Sequence, residues 1–299
     1  MQLPHPIPYQ GSKRKLSISI ATFVNSQVDT LFEPFAGSAA FTLYAAQHEL
    51  AEKFVIGDSL EPLIELWKLI VTSPEKVSSQ YQVIWKGQTE GDTDYFYRIR
   101  EQYNETHDPI KLLYLIARCV KNAVRFSKNG RFTQSVDKRR KGMRPDKMRK
   151  AVYGASSLLT GRVSFFAGDF EQCIADASTK DLVYMDPPYQ GITYGQDKRY
   201  YEQLHVDRLI TVLHNLNERN IPVLLSYDGK HGDKEYGISL PHSLNMQKFL
   251  LNAGRSSQAT LNGKNTITLE SLYVSSNLLS KRTDDESMLP IIEQLPLPF

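Results

Sequence analysis

The chain has few cysteines, no long apolar run and no phosphate-binding loop, and each absence narrows what it can be. Two cysteines, Cys119 and Cys173, occur in 299 residues and match no metal-ligand spacing. We therefore expect no metal site, and buried thiols in a reducing cytoplasm. No run of about 18 apolar residues is present, and the first residues lack a charged-then-apolar leader, so neither a transmembrane helix nor a signal peptide is expected.

The phosphate-binding patterns Gly-x-Gly-x-x-Gly and Gly-x-x-x-x-Gly-Lys-Ser/Thr are also missing. A nucleoside bound by this chain therefore need not carry phosphates. What is present is uneven charge: the net charge is only +3, yet twelve lysines and arginines fall between Lys121 and Lys150, opposed only by Asp137 and Asp146. Such a block indicates a polyanion partner, the alternative being a solvated charged loop.

Alternating strand and helix patterns predict an α/β fold with a parallel sheet. Strands are expected at 31–33, 54–56, 163–166, 182–185 and 222–226, and helices at 38–50, 61–71 and 203–219. The mainly helical and basic stretch 74–159 interrupts this pattern, and its segment 126–145 is expected to be a loop or short hairpin. We predict a discontinuous catalytic domain over 1–73 and 160–280, an insert over 74–159, and a flexible tail over 281–299.

The segment Asp186-Pro187-Pro188-Tyr189 directly follows the predicted strand 182–185. Ligands bind at the carboxyl ends of strands in open α/β sheets. Proline fixes the backbone and lacks an N–H group, so nearby carbonyls remain available as acceptors. Acceptors beside an aromatic ring suit a planar group that carries an amine, such as adenine; the alternative is a stiffened turn.

Three further segments predict a nucleoside site beside that motif. The turn from Glu33 to Phe41 has small residues where a strand meets a helix, which lets the backbone approach a ligand. Asp58, about twenty residues after that turn, is placed to bind ribose hydroxyls, or else to cap a helix. Because no phosphate loop is present, S-adenosylmethionine fits this site.

Two pairs of residues complete the predicted cofactor side. Lys13 is suited to a carboxylate and Tyr9 to a flat or cationic group, the alternative being a flexible leader. Asp169 and Phe170 follow the strand 163–166 and are suited to adenine by a hydrogen bond and stacking. Their alternative is a helix N-cap with a core phenylalanine.

The order of these motifs resembles the Dam-type (alpha-group) DNA N6-adenine methyltransferases. The similarity runs from about Pro6 to Leu278 and includes Tyr-x-Gly-x-Lys, Glu-Pro-Phe-x-Gly and Asp-Pro-Pro-Tyr. It implies a Rossmann-like sheet that uses S-adenosylmethionine, with an inserted basic target-recognition domain. The chain departs from the family at Tyr9, Ser12 and Ala39, and 133–135 replaces the Asn-Val-Pro run of GATC-methylating members, so GATC specificity does not carry over.

The resemblance also implies roles for individual residues. Asp186, the Pro187 carbonyl and Tyr189 would hold the target adenine after it flips out of the duplex. The implied cofactor contacts are Tyr9, Lys13, Glu33, Phe35, Gly37, Asp58, Asp169, Phe170 and Asp186. The implied DNA contacts are Asn122, Arg125, Lys128, Arg131, Gln134, Ser135, Lys138, Arg139, Arg140 and Lys141. Among them Arg125 and Arg131 suit guanine, and 138–141 suit phosphates.

The last six residues, Gln294 to Phe299, resemble the bacterial sliding-clamp-binding hexapeptide; the alternative is an inert proline-rich end. We expect a cytoplasmic, nucleoid-associated monomer that methylates adenine in double-stranded DNA, alone or with a cognate restriction enzyme. Three other functions remain open: methylation of RNA adenine, methylation of cytosine N4 in DNA, and catalytically silent DNA binding. Asp186 favours adenine, because Ser-Pro-Pro-Tyr is more usual for cytosine N4.

Overall fold

A computed structural model describes residues 2–88, 93–188, 205–231, 234–236, 240–255, 267–279 and 291–294. Within these residues nine strands form one sheet in the order β3-β2-β1-β4-β5-β8-β7-β9, and β6 pairs with β5. The strands are β1 Val28–Glu33, β2 Ala51–Asp58, β3 Val163–Ala167, β4 Leu182–Met185, β5 Val223–His231, β6 Lys234–Tyr236, β7 Met246–Arg255, β8 Ile267–Ser275 and β9 Ile291–Gln294.

The first five strands are mutually parallel, which confirms the predicted α/β, Rossmann-like class. The strand order runs outward from β1 in both directions, to β2 on one side and β4 on the other. This reversal leaves a crevice beyond the carboxyl ends of the two central strands. β8, β7 and β9 continue the sheet in antiparallel fashion.

Ten α-helices lie in the described residues, and four of them begin with proline in the first turn, where no N–H donor is needed. The helices are α1 Ser17–Ala21, α2 Ala40–Gln47, α3 Glu61–Thr72, α4 Pro74–Lys86, α5 Asp94–Thr106, α6 Pro109–Arg118, α7 Pro145–Leu159, α8 Phe170–Cys173, α9 Val206–Glu218 and α10 Ser276–Leu279. None of these helices is long and apolar enough to cross a membrane.

The helical insert shares its hydrophobic core with the sheet. Trp67 in α3, Tyr81 in α4 and Tyr114 in α6 are fully buried in one cluster with residues of β1 and β2. Ser156 in α7 donates to the carbonyl of Val71 at 2.8 Å, which fixes α7 against α3. The proposed target-recognition insert is therefore rigidly mounted on the helices beside the sheet.

The basic segment, expected to be a loop or short hairpin, contains a short hairpin. Phe126 and Phe132 form an antiparallel bridge, and the Ser127 N–H donates to the Arg131 carbonyl at 2.8 Å. The buried Asn104 side chain of α5 holds this hairpin: its Oδ1 accepts from the Phe132 N–H at 2.7 Å, and its Nδ2 donates to the Phe132 carbonyl at 3.2 Å. The hairpin is thus held in place by α5 of the same insert.

Three elements differ from the sequence-based expectations. The helix expected from residue 38 begins at Ala40, because Ala39 adopts a left-handed conformation with φ +46°. The segment Pro109 to Ala123, whose apolar residues recur at helical spacing and predict a helix, is α-helical only to Arg118, since Lys121 and Asn122 have positive φ. In the tail predicted to be flexible, Ile291–Gln294 forms β9 and pairs with β7, whose edge offers unpaired backbone groups.

Candidate active site

Asp186 lies directly after β4, at the crevice formed by the strand reversal. Lys13 comes from a short 3-10 turn near the N-terminus, and its ammonium lies 2.7 Å from Asp186 Oδ1 and 2.8 Å from Oδ2. Lys13 is only 6% exposed. The lysine expected to face a cofactor carboxylate therefore contacts the carboxylate of the Asp-Pro-Pro-Tyr motif.

A second carboxylate approaches the same ammonium. Glu270 in β8 places its Oε2 3.4 Å from Lys13 Nζ. The sequence analysis did not single out Glu270. Its signal is an acidic residue two positions before Leu272 and four before Val274, which is unusual on a strand face that continues into the core.

Asp58, at the end of β2, is bonded to the turn that follows β1. Its Oδ2 accepts from the Gly37 N–H at 3.0 Å, and its Oδ1 accepts from the Leu60 N–H at 3.0 Å. Burial raises the pKa of Asp58, and the two backbone hydrogen bonds oppose that rise. Asp58 therefore fixes the turn expected to approach the cofactor, while each oxygen keeps a lone pair for a further donor.

Glu33, at the end of β1, is 3% exposed and accepts from the Thr42 N–H at 2.9 Å. Burial raises the pKa of Glu33 to about 8, with a further contribution from the charge of Asp186. Glu33 is therefore mainly protonated at neutral pH. Glu33 can therefore affect cofactor binding through the first turn of α2, because its carboxyl group accepts from the Thr42 N–H there.

The turn between β1 and α2 is closely packed. Gly37 has φ +50°, and a Cβ atom there would lie 3.4 Å from the Tyr9 ring. Trp67 donates its indole N–H to the Gly37 carbonyl at 3.0 Å, and the Ser38 and Ser12 hydroxyls are 2.8 Å apart. Tyr9 and the N-terminal segment thus lie directly on the turn predicted to approach the cofactor.

Asp169 and Phe170 adopt the alternative arrangement, in which the aspartate caps a helix and the phenylalanine lies in the core. Asp169 caps α8 by accepting from the Glu171 N–H at 2.9 Å, and the Phe170 ring packs 5.1 Å from the Phe35 ring. Arg208 of α9 donates to Asp169 Oδ1 at 2.7 Å and lies 5.0 Å over the Phe170 ring. Arg208 was not among the predicted site residues, because no local sequence motif marks it.

The remainder of the Asp-Pro-Pro-Tyr motif is only partly described. Pro187 is buried and Pro188 is half-buried. Tyr189, predicted to stack on the target base, lies outside the described residues. The described part of the motif is therefore the carboxylate and the two prolines.

The structure separates the predicted DNA-contacting residues by exposure. Asn122 and Arg125 are half-buried. Gln134 is only 8% exposed, and its Oε1 accepts from the Ser135 N–H at 3.0 Å, so this side chain does not face DNA in this conformation. The exposed members are Lys128, Arg131, Ser135, Lys138, Arg139, Arg140 and Lys141.

Several of the exposed arginines already have acidic partners. Arg139 and Arg140 both donate to Asp137, whose carboxylate is largely buried, and hydrogen bonds from Arg139 contribute most to lowering the pKa of Asp137 to about 2. Arg140 also donates to the Cys119 carbonyl at 2.8 Å, and Arg131 pairs with Glu101. Lys138 and Lys141 are exposed on the same surface.

Asn122 connects the insert with the N-terminal motif. Its carbonyl accepts from the Gln10 N–H at 3.1 Å, and its Nδ2 donates to the Ile116 carbonyl at 2.8 Å. The chain from Tyr9 to Lys13 is thereby tied both to the insert and to Asp186. The two sides predicted for DNA and for the cofactor meet at this segment.

Comparison with known proteins places the chain in a family. A family model described as D12 class N6 adenine-specific DNA methyltransferase matches residues 9–281. The chain is 25% identical over 246 residues to Type II methyltransferase M.FokI of Planomicrobium okeanokoites, covering 80% of this chain and 38% of that protein. It is 28% identical over 203 residues to the Retron Ec67 DNA adenine methylase of Escherichia coli, covering 66% and 67%.

A third relative is the DNA adenine methylase of Haemophilus influenzae, 23% identical over 188 residues, which covers 61% of this chain and 63% of that protein. The chain therefore spans between about two fifths and two thirds of the lengths of these relatives. The family model spans the Lys13 turn, the strand reversal, Asp186 and the hairpin together. The chain belongs to the D12 class N6 adenine-specific DNA methyltransferase family.

Proposed function

We propose that this protein transfers a methyl group from S-adenosylmethionine to N6 of an adenine in double-stranded DNA. The observation that carries the proposal is the Asp186 carboxylate at the crevice of the sheet, oriented by Lys13 through both oxygens. A carboxylate held in this way keeps lone pairs for the N6 hydrogens. Family membership supports adenine over the other bases.

The residues around the crevice offer hydrogen-bond acceptors and aromatic rings that match the parts of S-adenosylmethionine. The Tyr9 ring beside Gly37 offers a face for a flat or cationic group, and Asp58, bonded to the Gly37 N–H, is an acceptor for ribose hydroxyls. The half-buried Phe35 ring, which packs on the buried Phe170, offers an aromatic surface near Asp169 for the adenine end. When bound, S-adenosylmethionine supplies an electrophilic methyl group on a cationic sulfur.

Asp186 and the Pro187 carbonyl would accept hydrogen bonds from the two N6 hydrogens of a flipped adenine. These bonds favour a tetrahedral N6 and free its lone pair for attack on the methyl carbon. S-adenosylmethionine held beside this pocket would supply the methyl carbon and leave as a neutral thioether, and N6 would pass one proton to solvent by way of the Asp186 carboxylate. Alignment and fixed charges would supply most of the rate increase. Stacking by Tyr189 remains part of the proposal.

The decisive experiment measures transfer of labelled methyl to DNA, followed by digestion to nucleosides. We expect N6-methyladenine from the wild-type protein and none from Asp186→Ala, with both proteins folded. Label in cytosine N4 or in RNA would replace the proposal with one of the other enzymatic functions. DNA binding without any label would indicate a silent binding protein.

We propose that the exposed basic surface of the hairpin and the segment after it contacts DNA. Lys138 and Lys141 suit phosphates, since both are exposed and lysine acts as a point charge. Arg125 and Arg131 are proposed for guanine, and Arg131 would exchange its pairing with Glu101 for the base. Modification-sensitive sequencing of DNA from expressing cells would identify the recognition site.

We further propose two protein partners and a cellular location for this protein. The six residues from Gln294 would bind a bacterial sliding clamp; β9 ends at Gln294, and 295–299 lie outside the described residues. Recovery with purified clamp should fall on removal of 294–299, and equal recovery would refute this. We also propose a cognate restriction enzyme as a partner, and action on DNA as a monomer at the nucleoid in the cytoplasm.

A further inference from the structure

Glu270 lies at the catalytic edge of the sheet because of the direction of its strand. β8 runs antiparallel to β5, so the beginning of β8 lies where β5 and β4 end. Leu225 of β5 aligns with both Met185 and Tyr273, and Glu270 pairs with Gly229 further along β5. Glu270 therefore extends past the end of β4, on the level of the residues that follow Met185.

Toward the core, the strand face that carries Glu270 becomes apolar. Residues two and four positions later, Leu272 and Val274, are fully buried in the larger hydrophobic cluster, and side chains of a strand alternate between two faces. Glu270 Oε2 is itself buried and has no hydrogen-bond partner among the described residues. Its contact is the Lys13 ammonium at 3.4 Å.

This arrangement costs stability. A buried carboxylate oxygen without a hydrogen bond is unfavourable, and one ion pair at 3.4 Å compensates for it only in part. Because Oε2 is the buried oxygen of a side chain that is 27% exposed, an amide of the same shape at position 270 would keep the packing without a buried negative charge. The charge of Glu270 therefore indicates a purpose at the site rather than in folding.

We infer that Glu270 is a positioning residue for methyl transfer, acting through Lys13 on Asp186. This inference rests on the proposed function. The ammonium has three donors: two point at the oxygens of Asp186, and the third side of the group is occupied by Glu270 Oε2 and the Gly11 carbonyl, each at 3.4 Å. With all sides occupied, the ammonium stays centred on Asp186.

The centred ammonium determines which lone pairs of Asp186 remain for the substrate. Lys13 contacts both oxygens, so the position of the ammonium sets the acceptor geometry that Asp186 can present to the N6 hydrogens. Without the charge of Glu270, the lysine side chain is free to tilt toward a single oxygen. Asp186 would then present the adenine amine with a different acceptor geometry, which matters for transfer more than for binding.

The test compares Glu270→Gln, which keeps the shape and removes the charge, with Glu52→Gln, the same change on the exposed part of β2. We expect Glu270→Gln to lower kcat by about ten- to a hundredfold, in line with misalignment of reacting groups. The KM for DNA and the Kd for S-adenosylmethionine should stay within about twofold. Thermal unfolding should be unchanged or shifted upward, and Glu52→Gln should match wild type throughout.

A double-mutant comparison tests whether Glu270 acts through Lys13. Once Lys13→Met has removed the ammonium, adding Glu270→Gln should cause no further loss of kcat. If Lys13→Met does not fold, Lys13→Gln serves in its place. An unchanged kcat in Glu270→Gln, or losses that multiply in the double variant, would overturn the inference. Absence of transfer by the wild-type protein would instead refute the proposed function.

Discussion

Replacing Glu33 by glutamine tests the charge state of the carboxyl groups in the crevice. The glutamine Oε1 can still accept from the Thr42 N–H, which Glu33 Oε2 accepts at 2.9 Å in this structure. The amide has the same shape as the carboxyl group but does not titrate. The difference in unfolding free energy between the two proteins therefore isolates the titration of this one buried group.

The magnitude follows from the pKa of Glu33, which burial raises from its ordinary 4.5 to about 8. Between these values the unfolded chain has released a proton that the folded chain keeps. Wild-type stability relative to Glu33→Gln is therefore greatest below pH 4.5 and falls as pH rises to about 8. The slope is about 1.4 kcal/mol per pH unit and the total loss about 5 kcal/mol, as an order of magnitude.

The assay is urea unfolding followed by circular dichroism at half-unit steps from pH 5 to pH 8.5 for both proteins. Titrations of other groups cancel in the difference, provided that they do not couple to residue 33. A difference that stays constant over this range would refute the reasoning. It would mean that Glu33 is already ionised in the folded protein at pH 5.

Three further predictions concern the hairpin, the basic surface and the cofactor turn. Asn104→Ala should cost about 2–3 kcal/mol in urea unfolding, because both Phe132 backbone groups lose their partner, and it should weaken DNA binding more than cofactor binding. Lys138→Gln with Lys141→Gln should reduce the salt slope of DNA binding by about 2, measured by fluorescence anisotropy. Ala39→Val should destabilise the fold by more than about 1 kcal/mol, since a β-branched residue is strained at φ +46°, whereas Ala39→Gly should be nearly neutral.

Each of these predictions has a contrary outcome. Equal loss of cofactor and DNA binding in Asn104→Ala would mean that the hairpin is not the DNA-facing element. A salt slope unchanged in the double lysine variant would remove Lys138 and Lys141 from the phosphate contacts, and Lys53→Gln in β2 is a matched surface control. Similar stabilities of the Ala39→Val and Ala39→Gly proteins, by urea unfolding, would contradict the left-handed conformation of the turn.

The sheet and the position of its crevice could be predicted from sequence, because they follow from local patterns. Buried parallel strands are short apolar runs, and the helices between them show helical spacing. Motifs placed directly after those runs must meet at the same edge of a parallel sheet. This is why Asp58 and Asp186 are found at the crevice, as the strand predictions imply.

The contacts between distant segments could not be predicted in the same way. Lys13, Asp186 and Glu270 meet only because an N-terminal turn and an antiparallel strand reach the same edge, and alternation within 267–275 does not state which strand is its neighbour. Arg208 meets Asp169 for a similar reason. These contacts depend on register and helix packing, which are set by the whole core.

The burial of Gln134 follows from the alternation of buried and exposed residues around it, although a polar side chain suggests exposure. The sequence analysis treated it as a DNA contact because it lies among basic residues. However, Phe132, Gln134 and Val136 are all buried, while the residues between them are exposed. The period of two along the strand, anchored by the apolar residues on each side, would have placed Gln134 on the inner face. Alternation was therefore the better guide than residue type.

The carboxyl groups at the sheet edge differ in the groups that hydrogen-bond to them. Glu33 and Asp58 accept from backbone N–H groups of the turns beside them, so replacing either one should disturb those turns and the fold. Both oxygens of Asp186 are instead contacted by the side chain of Lys13. Loss of this side-chain contact leaves the backbone turns in place, whereas loss of Glu33 or Asp58 removes an acceptor from those turns. Asp186→Asn should therefore lose methyl transfer while the backbone turns stay in place, its stability cost coming from the Lys13 ammonium that loses its partner, which separates the reacting carboxylate from those that build its surroundings.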